Sequence, residues 1–318
     1  MDKLDKKDRL LLSVLAKNCR SSNAQIGKQI GLSREVVAYR IKRLEEQGII
    51  KGYTAEISFN RLGFAAYTIS LKLQNITKES ETLIVKKLIE NKKIVFIQKT
   101  LSKYDFTFTL LVKSISELND ESKKIREIIG KSLKFIEIEA FVGDYDFLAS
   151  FFSERLKEKP EINFVDGNLV EIDDKDAKII EELVENSRKT AVELSKKLKM
   201  SVFAIADRIK KLVDRKVILA FRPIIDNQKL GYYRYTLLLN FFDKERENEL
   251  ISFCKNHNNI WDIGIYMGNY NYVVEVFSED NERFKGIVSD LINKFSASII
   301  DYETLIILEE LKHKYFFV

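Results

Sequence analysis

The chain has 318 residues, of which 53 are Lys or Arg and 48 are Asp or Glu, so its net charge is +5, and 45% are apolar. This composition excludes a wholly disordered chain, and the length predicts two or three globular domains of about 100–200 residues each. Two separated cysteines and two separated histidines provide neither a disulfide framework nor a metal-ligand motif, so we expect no metal and no cofactor. Because the sequence has no signal-peptide pattern and no apolar run of membrane-spanning length, we expect a cytoplasmic protein without membrane contact.

The chain contains an internal repeat at an offset of 168 residues. Residues 4–64 and 172–232 share 17 identities in 61 aligned positions without a gap, which indicates a tandem duplication of a two-part unit. Net charge divides unequally between the copies: residues 1–52 have 12 basic and 6 acidic side chains (+6), whereas residues 171–220 have 12 and 10 (+2). The basic first segment suggests a polyanionic partner, although a solvated charged surface has the same composition.

The first part of each unit has the pattern of three helices and a strand. In the first unit, residues 6–18 have an amphipathic apolar stripe, residues 22–25 have capping-box spacing, and residues 33–48 fit a capped third helix. A strand-like stretch follows at residues 49–59, with Gly52 where a small wing could turn. A short helix, a tight turn and a helix with basic outer residues predict a helix-turn-helix, whose later helix enters the DNA major groove.

The second part of each unit has a βαββαβ pattern. In the first unit we expect strand 65–73, helix 79–91, two strands within 95–112 that meet near Ser102-Lys103, helix 116–133 and strand 135–141. In the second unit the expected strands lie near 233–242, 260–267, 270–277 and 297–308. The alternating polarity favours an antiparallel sheet with both helices on one face, which leaves the other face or an edge to pair with a second copy.

Several short strings carry a family resemblance. They are Leu4-Asp5, Ile30-Gly31-Leu32-Ser33, Arg40-Ile41-Lys42-Arg43-Leu44-Glu45, Gly48-Ile49-Ile50 and Leu62-Gly63. Together they resemble the winged helix-turn-helix of the Lrp/AsnC (feast/famine) transcription regulators. The resemblance implies an α+β chain in which winged helix-turn-helix domains (1–60 and 171–228) alternate with ferredoxin-like βαββαβ domains of the RAM type (61–152 and 229–318), joined by a linker at 153–170. It also implies double-stranded DNA as a partner, a small-molecule effector such as an amino acid, and homo-oligomers that assemble through the αβ domains.

Candidate DNA contacts lie on and around the third helix of the first head. Arg34, Glu35 and Ala38 are assigned to base edges, because they occupy the outer face near the helix start and Arg can pair with guanine. The candidate phosphate contacts are Arg20, Ser22, Ser33, Arg40, Lys42 and Lys51. Two alternatives stay open: Arg40 could form a salt bridge with an acidic neighbour, and Ser33 could simply cap the helix.

The second head differs at the start of its third helix. Val202, Phe203 and Asp207 occupy the positions of an arginine, a glutamate and a tyrosine in the first head, which makes this tip apolar and acidic. Its candidate DNA contacts are Arg188, Lys199, Arg208, Lys210 and Lys211. We therefore predict that one chain acts as a dimer of units does, and that the first head supplies most of the sequence readout.

The family's effector pocket lies at a strand-loop-strand motif, which the resemblance places at residues 101–105 and 267–271. The candidate effector contacts are Ser102, Tyr104, Asp105, Gly268, Tyr270 and Asn271. A similar string, residues 143–146, is expected to follow the last strand of its unit. For all three strings a tight turn is the alternative to ligand binding.

We find no catalytic constellation and expect that the chain is not an enzyme. Two alternatives come from other functional classes. One is a siroheme decarboxylase, because similar two-part units occur in those enzymes, and the other is an assembly protein with degenerate DNA-binding heads.

Overall fold

The two heads have the predicted helices, each begun by a local cap. The computed structural model describes residues 4–153, 161–164 and 168–313. Head one comprises α1 (Lys6–Lys17), α2 (Asn23–Ile30), α3 (Arg34–Glu46) and β1 (Ile50–Ile57). Head two comprises α7 (Asp174–Glu185), α8 (Ala191–Leu198), α9 (Val202–Asp214) and β7 (Ile218–Ile225). Ser22 and Thr190 form the predicted capping boxes, and Gly31 and Gly48 end their helices at positive φ.

The wing that we expected to turn at Gly52 does not form within head one. β1 does not turn back at Gly52; it runs on and pairs antiparallel with β7 of head two, with Thr54 opposite Arg222. The two strands form a two-stranded ribbon between the heads, and α1 packs on β7 while α7 packs on β1. Each strand has backbone groups that a single head leaves unpaired, and the other head satisfies them.

Both αβ modules have the βαββαβ order, as the sequence pattern predicts. The first comprises β2 (Ala65–Leu73), α4 (Lys78–Glu90), β3 (Ile94–Leu101), β4 (Phe106–Val112), α5 (Ile115–Ile129) and β5 (Leu133–Asp146). The second comprises β8 (Tyr233–Phe241), α10 (Glu247–Asn256), β9 (Ile260–Met267), β10 (Tyr272–Ser278), α11 (Asn281–Phe295) and β11 (Ile299–His313). The strand orders are β5-β2-β4-β3 and β11-β8-β10-β9, each with the first strand of its module in an inner position.

The two modules pair edge to edge within the chain and close a barrel. β3 pairs with β11, and β5 pairs with β9, so the eight strands form an antiparallel ring. The sheet edges that the sequence left available for a second copy are therefore used inside one chain. Closure also creates an interior, or lumen, between the two sheets.

The last strand of the first module is longer than predicted. Residues 143–146 lie inside β5 and pair with β9, rather than following the strand. They also pair with a short strand, β6 (Glu161–Phe164), which falls within the expected linker. Of that linker, residues 154–160 and 165–167 lie outside the described residues. Before it, α6 (Leu148–Phe152) packs on α1, and Ser13 donates a hydrogen bond to the Ala149 carbonyl at 2.6 Å.

None of the helices that the structure describes is both long and apolar enough to cross a bilayer.

Candidate nucleic-acid interface

The outer face of α3 is the part of head one available to DNA. Arg34, Glu35, Ala38 and Lys42 are exposed on it, while the inner stripe of α3 is buried in the head. Tyr39, which is 65% exposed, shares this face but was not among the predicted contacts. Its position four residues after Glu35 is the helical spacing that could have identified it.

The two candidate serines act as helix caps. The Ser22 hydroxyl accepts a hydrogen bond from the Gln25 amide at 3.2 Å, and Ser33 accepts one from the Val36 amide at 3.3 Å. Both residues are exposed, so capping and solvent contact coexist. Backbone and Ser33 hydrogen bonds lower the pKa of Glu35, which keeps this carboxylate charged at the start of α3.

Arg40 and its repeat counterpart Arg208 are committed to contacts within their heads. Arg40 Nη1 lies 2.7 Å from carboxylate oxygens of both Asp5 and Asp8. Arg208 Nη1 lies 2.8 and 2.7 Å from the equivalent aspartates of head two. These pairs fix the third helix of each head against its first, which is the salt-bridge alternative for Arg40.

Arg20 and Arg188 lie between the heads rather than on the recognition faces. Arg20 donates to the Lys189 carbonyl at 2.9 Å and its guanidinium sits 5.2 Å from the Phe221 ring centre. Arg188 donates to the Tyr53 hydroxyl at 3.2 Å and sits 4.9 Å from that ring. This arrangement repeats about a pseudo-twofold axis and stabilises the junction of the heads.

Lys51 also belongs to the junction between the heads. Its Nζ lies 2.9 Å from an Asp226 carboxylate oxygen of head two. The pair links the start of β1 to the end of β7, away from the tip of α3.

The recognition helix of head two presents a different surface. Phe203 is 83% exposed at the tip of α9, next to exposed Val202. Lys210 is exposed, whereas Lys211 pairs with Asp207 at 2.7 Å. Lys199 adopts the left-handed conformation that ends α8. Cationic candidates therefore lie on the later turns of α9 and just before it, but its tip offers no charged donor.

The two predicted effector loops meet each other at one end of the barrel. The Lys103 ammonium lies 5.1 and 5.0 Å from the ring centres of Tyr104 and Tyr270 and 3.0 Å from a Glu137 oxygen. Tyr104 also donates a hydrogen bond to Glu137. A cation of the chain itself therefore occupies the aromatic and acidic surroundings that an amine ligand would require.

The polar groups of these loops hold strand ends. Asp105 accepts a hydrogen bond from the Leu73 amide at 2.7 Å, and Asn271 accepts one from the Phe241 amide at 2.8 Å. Ser102 donates a hydrogen bond to a glutamate of β11 at 2.8 Å. A Cβ on Gly268 would lie 2.6 Å from the Glu139 side chain, so this loop requires glycine where the other has Ser102. The structure brings the six predicted effector residues into one region, and intrachain contacts occupy the side chains of Ser102, Tyr104, Asp105 and Asn271.

The sequence prediction missed a polar lumen inside the barrel. A cavity of about 300 Å³ is lined by charged side chains of both modules and of the β1–β7 ribbon. The sequence contained a signal for this lumen, because Asp262 and Glu275 are acidic residues within strands whose neighbouring positions are apolar residues.

Two family models match the chain, one in each head. A model described as winged helix-turn-helix DNA-binding matches residues 4–51, and the AsnC-type helix-turn-helix domain matches residues 172–213. The HTH-type transcriptional regulator Ptr1 of Methanocaldococcus jannaschii is 37% identical over 115 residues, which cover 36% of this chain and 76% of Ptr1. The HTH-type transcriptional regulator FL11 of Pyrococcus furiosus is 31% identical over 127 residues, covering 40% of this chain and 83% of FL11.

Solved structures of the siroheme decarboxylase NirDL match nearly the whole chain. One has a TM-score of 0.67 and another, a co-complex with an iron-uroporphyrin III analogue, a TM-score of 0.65, each over 98% of this chain and 95% of that one. The sequence identity is 14%, so this likeness concerns the fold alone. The sequence matches to the regulators each span most of a relative and less than half of this chain, as expected for a duplicated unit. The chain therefore belongs to the Lrp/AsnC family of DNA-binding transcription regulators, as a tandem duplication of the family's unit in one polypeptide.

Proposed function

We propose that one chain of this regulator does the work of a dimer of single units, and that head one provides most of the sequence readout. The observation that carries the proposal is the β1–β7 ribbon, which joins two unlike heads in a fixed pair. Two recognition helices related by a pseudo-twofold axis fit two half-sites, and unlike helices fit an imperfect, asymmetric operator.

The difference between the recognition helices supports the unequal readout. Arg34 on α3 can donate two hydrogen bonds to guanine, whereas Val202 in the equivalent position can only contact a thymine methyl group. Lys42 and Lys210, which are equivalent and both exposed, supply a phosphate contact to each head. We therefore expect head two to anchor the complex with little sequence preference.

Binding of selected genomic DNA fragments by matched variants tests this proposal. Arg34→Ala should weaken binding to the preferred fragment by about tenfold and relax the sequence preference of the protein, because a bidentate base contact contributes about 1–3 kcal/mol. Lys42→Ala and Lys210→Ala should each weaken binding to all fragments and reduce the slope of log affinity against log salt by about 0.9. If Lys210→Ala relaxes sequence preference as much as Arg34→Ala does, the asymmetry is wrong.

We further propose that the chain is not an enzyme, despite its likeness to a siroheme decarboxylase fold. The lumen is lined by six carboxylates and two arginines, and both arginines are paired within the chain. A tetrapyrrole with several carboxylate groups would meet like charge there. The absorbance spectrum of siroheme should therefore not change when the purified protein is added, and a saturable change would favour the enzyme.

We also propose a cytoplasmic location and further self-association through surfaces other than sheet edges. The barrel uses both edges of each module, so helices or loops are left to form contacts between chains. Light scattering of the purified chain would measure the oligomer. An amino-acid effector at the loops of residues 101–105 and 267–271 stays a prediction, because intrachain contacts already occupy their side chains.

A further inference from the structure

The lumen has a row of three carboxylates across neighbouring strands. Asp262 of β9 is directly opposite Asp146 of β5 on one side and Glu275 of β10 on the other. Side chains opposite each other in adjacent strands lie on the same face, with Cβ atoms about 4.5–5.5 Å apart. Like charges in this arrangement repel unless cations lie between them.

The two outer carboxylates of the row each have an arginine. Asp146 lies 2.9 Å from Arg222 Nη2, and Glu275 lies 2.8 Å from Arg234 Nε. Arg222 also pairs with Glu56 at 3.0 Å, and Arg234 contacts Glu310 at 3.5 Å. Both guanidiniums are therefore already shared between two carboxylates.

The central carboxylate, Asp262, has no partner of this kind. Among the described residues, it interacts with its neighbours through charge alone and forms no hydrogen bond or ion pair. Burial and the nearby charges of Asp144, Asp146 and Glu275 raise the pKa of Asp262 well above its ordinary value, although Arg234 opposes them. Asp262 keeps some accessible surface because it faces the cavity.

The lining as a whole has an excess of negative charge. Its two arginines face six carboxylates, so the lining has a net charge of −4 when all of these are ionised and His313, which also lines the cavity, is neutral; the six are Glu56, Glu139, Asp144, Asp146, Asp262 and Glu275. The indole N–H of Trp261, next to Asp262, is buried without an acceptor among the described residues. The cavity thus lacks a cation, and a hydrogen-bond acceptor would satisfy Trp261 as well.

The duplication indicates that this charge is not a requirement of the barrel. Asp262 and Glu275 correspond to Phe96 and Thr109 in the first module, at an offset of 166 residues. Arg234 corresponds to Ala66, at an offset of 168. The first module therefore builds the equivalents of β8, β9 and β10 with neutral side chains at these three positions, while its own β5 contributes Glu139, Asp144 and Asp146 to the lumen.

The shape of the lumen favours an organic cation over a metal ion. No three His, Cys, Asp or Glu side chains in the described part of the chain are arranged to hold a metal. Gly264 lies two residues from Asp262 on β9 and lines the cavity, where the Tyr266 ring packs against it at 2.7 Å from the place of a Cβ. A volume of about 300 Å³ is at the lower end of small-molecule pockets, which suits a compact ligand.

We propose that the lumen binds a small organic cation whose ammonium or guanidinium group pairs with Asp262, between the Arg222 and Arg234 ion pairs. This site is distinct from the loops of residues 101–105 and 267–271. The ligand brings the positive charge that the row lacks.

The same ligand would be coupled to the heads, a consequence that rests on the proposed function. Arg222 belongs to β7 of the ribbon, and its Nη1 donates to the carbonyl of Ala16 in α1 at 2.6 Å. Its other contacts, Glu56 and Asp146, belong to β1 and to the barrel. A cation beside Asp146 and Asp262 changes the charge around Arg222, a side chain that joins barrel, ribbon and helix.

The single tryptophan of the chain provides a direct assay of the site. Trp261 lines the lumen, and its ring lies under the Arg234 guanidinium at 5.1 Å and stacks on Phe277. Titration of the full chain with 1,4-diaminobutane should give a saturable change in tryptophan fluorescence. Neutral 1,4-butanediol and anionic succinate, which have the same chain length, should give none.

Two variants make the test specific to the carboxylate. Asp262→Asn should weaken diamine binding by about tenfold or more, because a charged hydrogen bond is lost, while Asp120→Asn on the exposed face of α5 should leave it unchanged. Circular dichroism and the thermal unfolding midpoint of each variant check its fold. Diamine should raise the unfolding midpoint of the wild-type chain and should not raise that of Asp262→Asn. No saturable response to the diamine, or equal responses in wild type and Asp262→Asn, would overturn the site.

DNA binding tests the coupling separately. Diamine should change the DNA affinity of the wild-type chain and not that of Asp262→Asn, a comparison that removes direct binding of diamine to DNA. Equal effects on both proteins would overturn the coupling. A chain that binds no DNA either with or without diamine would contradict the proposed function instead, and the fluorescence titration does not depend on that result.

Discussion

Replacement of Arg222 by threonine tests how the heads are fixed to the barrel. The repeat places Arg222 at the position of Thr54, and each donates to a helix carbonyl of the opposite head: Thr54 to Val184 at 2.9 Å and Arg222 to Ala16 at 2.6 Å. Arg222→Thr therefore installs the residue that the first unit uses, and removes the ion pairs to two carboxylates. The variant isolates what those pairs add to a contact that the fold can make without them.

The magnitude follows from the burial of the three charges. The side chain of Arg222 is 6% exposed, and those of Glu56 and Asp146 are 19% and 13% exposed, so solvent screens them weakly. Removal of one partner from a buried ion pair costs about 3–5 kcal/mol, mostly because the other charge is left unpaired. Because Glu56 and Asp146 keep some contact with water, we expect a loss of about 3 kcal/mol in the free energy of unfolding.

Equilibrium unfolding in urea, followed by circular dichroism and by Trp261 fluorescence, measures this loss. Thr54→Val is the matched control, which removes one neutral hydrogen bond and should cost about 1 kcal/mol. Addition of Asp146→Asn to Arg222→Thr should restore about 1–2 kcal/mol, since it removes one unpaired charge. A loss no larger than that of Thr54→Val, or no recovery in the double variant, would refute the reasoning.

Three other sites of the chain provide further predictions. Asp262→Asn should stabilise the chain increasingly as pH rises above about 4, because a carboxyl with a raised folded-state pKa contributes stability at low pH that is lost as pH rises. Unfolding measured as a function of pH would show a constant difference between the two proteins if Asp262 had no such role. Val202→Arg with Phe203→Glu gives head two the tip of head one, and should tighten binding to a symmetric operator by about tenfold, measured by fluorescence anisotropy; no gain would contradict the assignment of base contacts. Asp8 is 2% exposed and paired with two arginines, so Asp8→Asn should lower the free energy of unfolding by about 2–3 kcal/mol. Asp176 has one arginine partner, so Asp176→Asn should lower it by about 1 kcal/mol. Equal losses for the two variants in thermal unfolding would refute this difference.

The local signals in the sequence were sufficient for the helices of both heads and for the βαββαβ order of both modules. Capping boxes at Ser22 and Thr190, and the glycine at residue 48, define helix ends through contacts within four residues of the chain. The βαββαβ order likewise follows from the change between helical and strand periodicity. The duplication was visible because both copies satisfy the same local requirements.

The roles of particular cations could not be read from the same signals. Arg20 and Arg188 have the composition of phosphate contacts, yet each lies on an aromatic ring of the other head. The backbone carbonyls that Arg20 contacts are 167 and 169 residues away in the sequence, so no local pattern reveals them. For Arg40 the sequence offered a salt bridge as the alternative, and its carboxylate partners, Asp5 and Asp8, lie in the same head.

The sequence by itself determined the family, the duplication and the helices and strands of each unit, because these depend on residue types at short spacing. The tertiary structure decided which strands pair. β1 finds its partner in the other head, and β3 and β5 find theirs in the other module, since unpaired strand edges are satisfied by whatever edge the fold brings close. That closure places Asp146 of the first module beside Asp262, whose other neighbour, Glu275, is on the next strand of its own module, and so creates the charged lumen that neither module has alone.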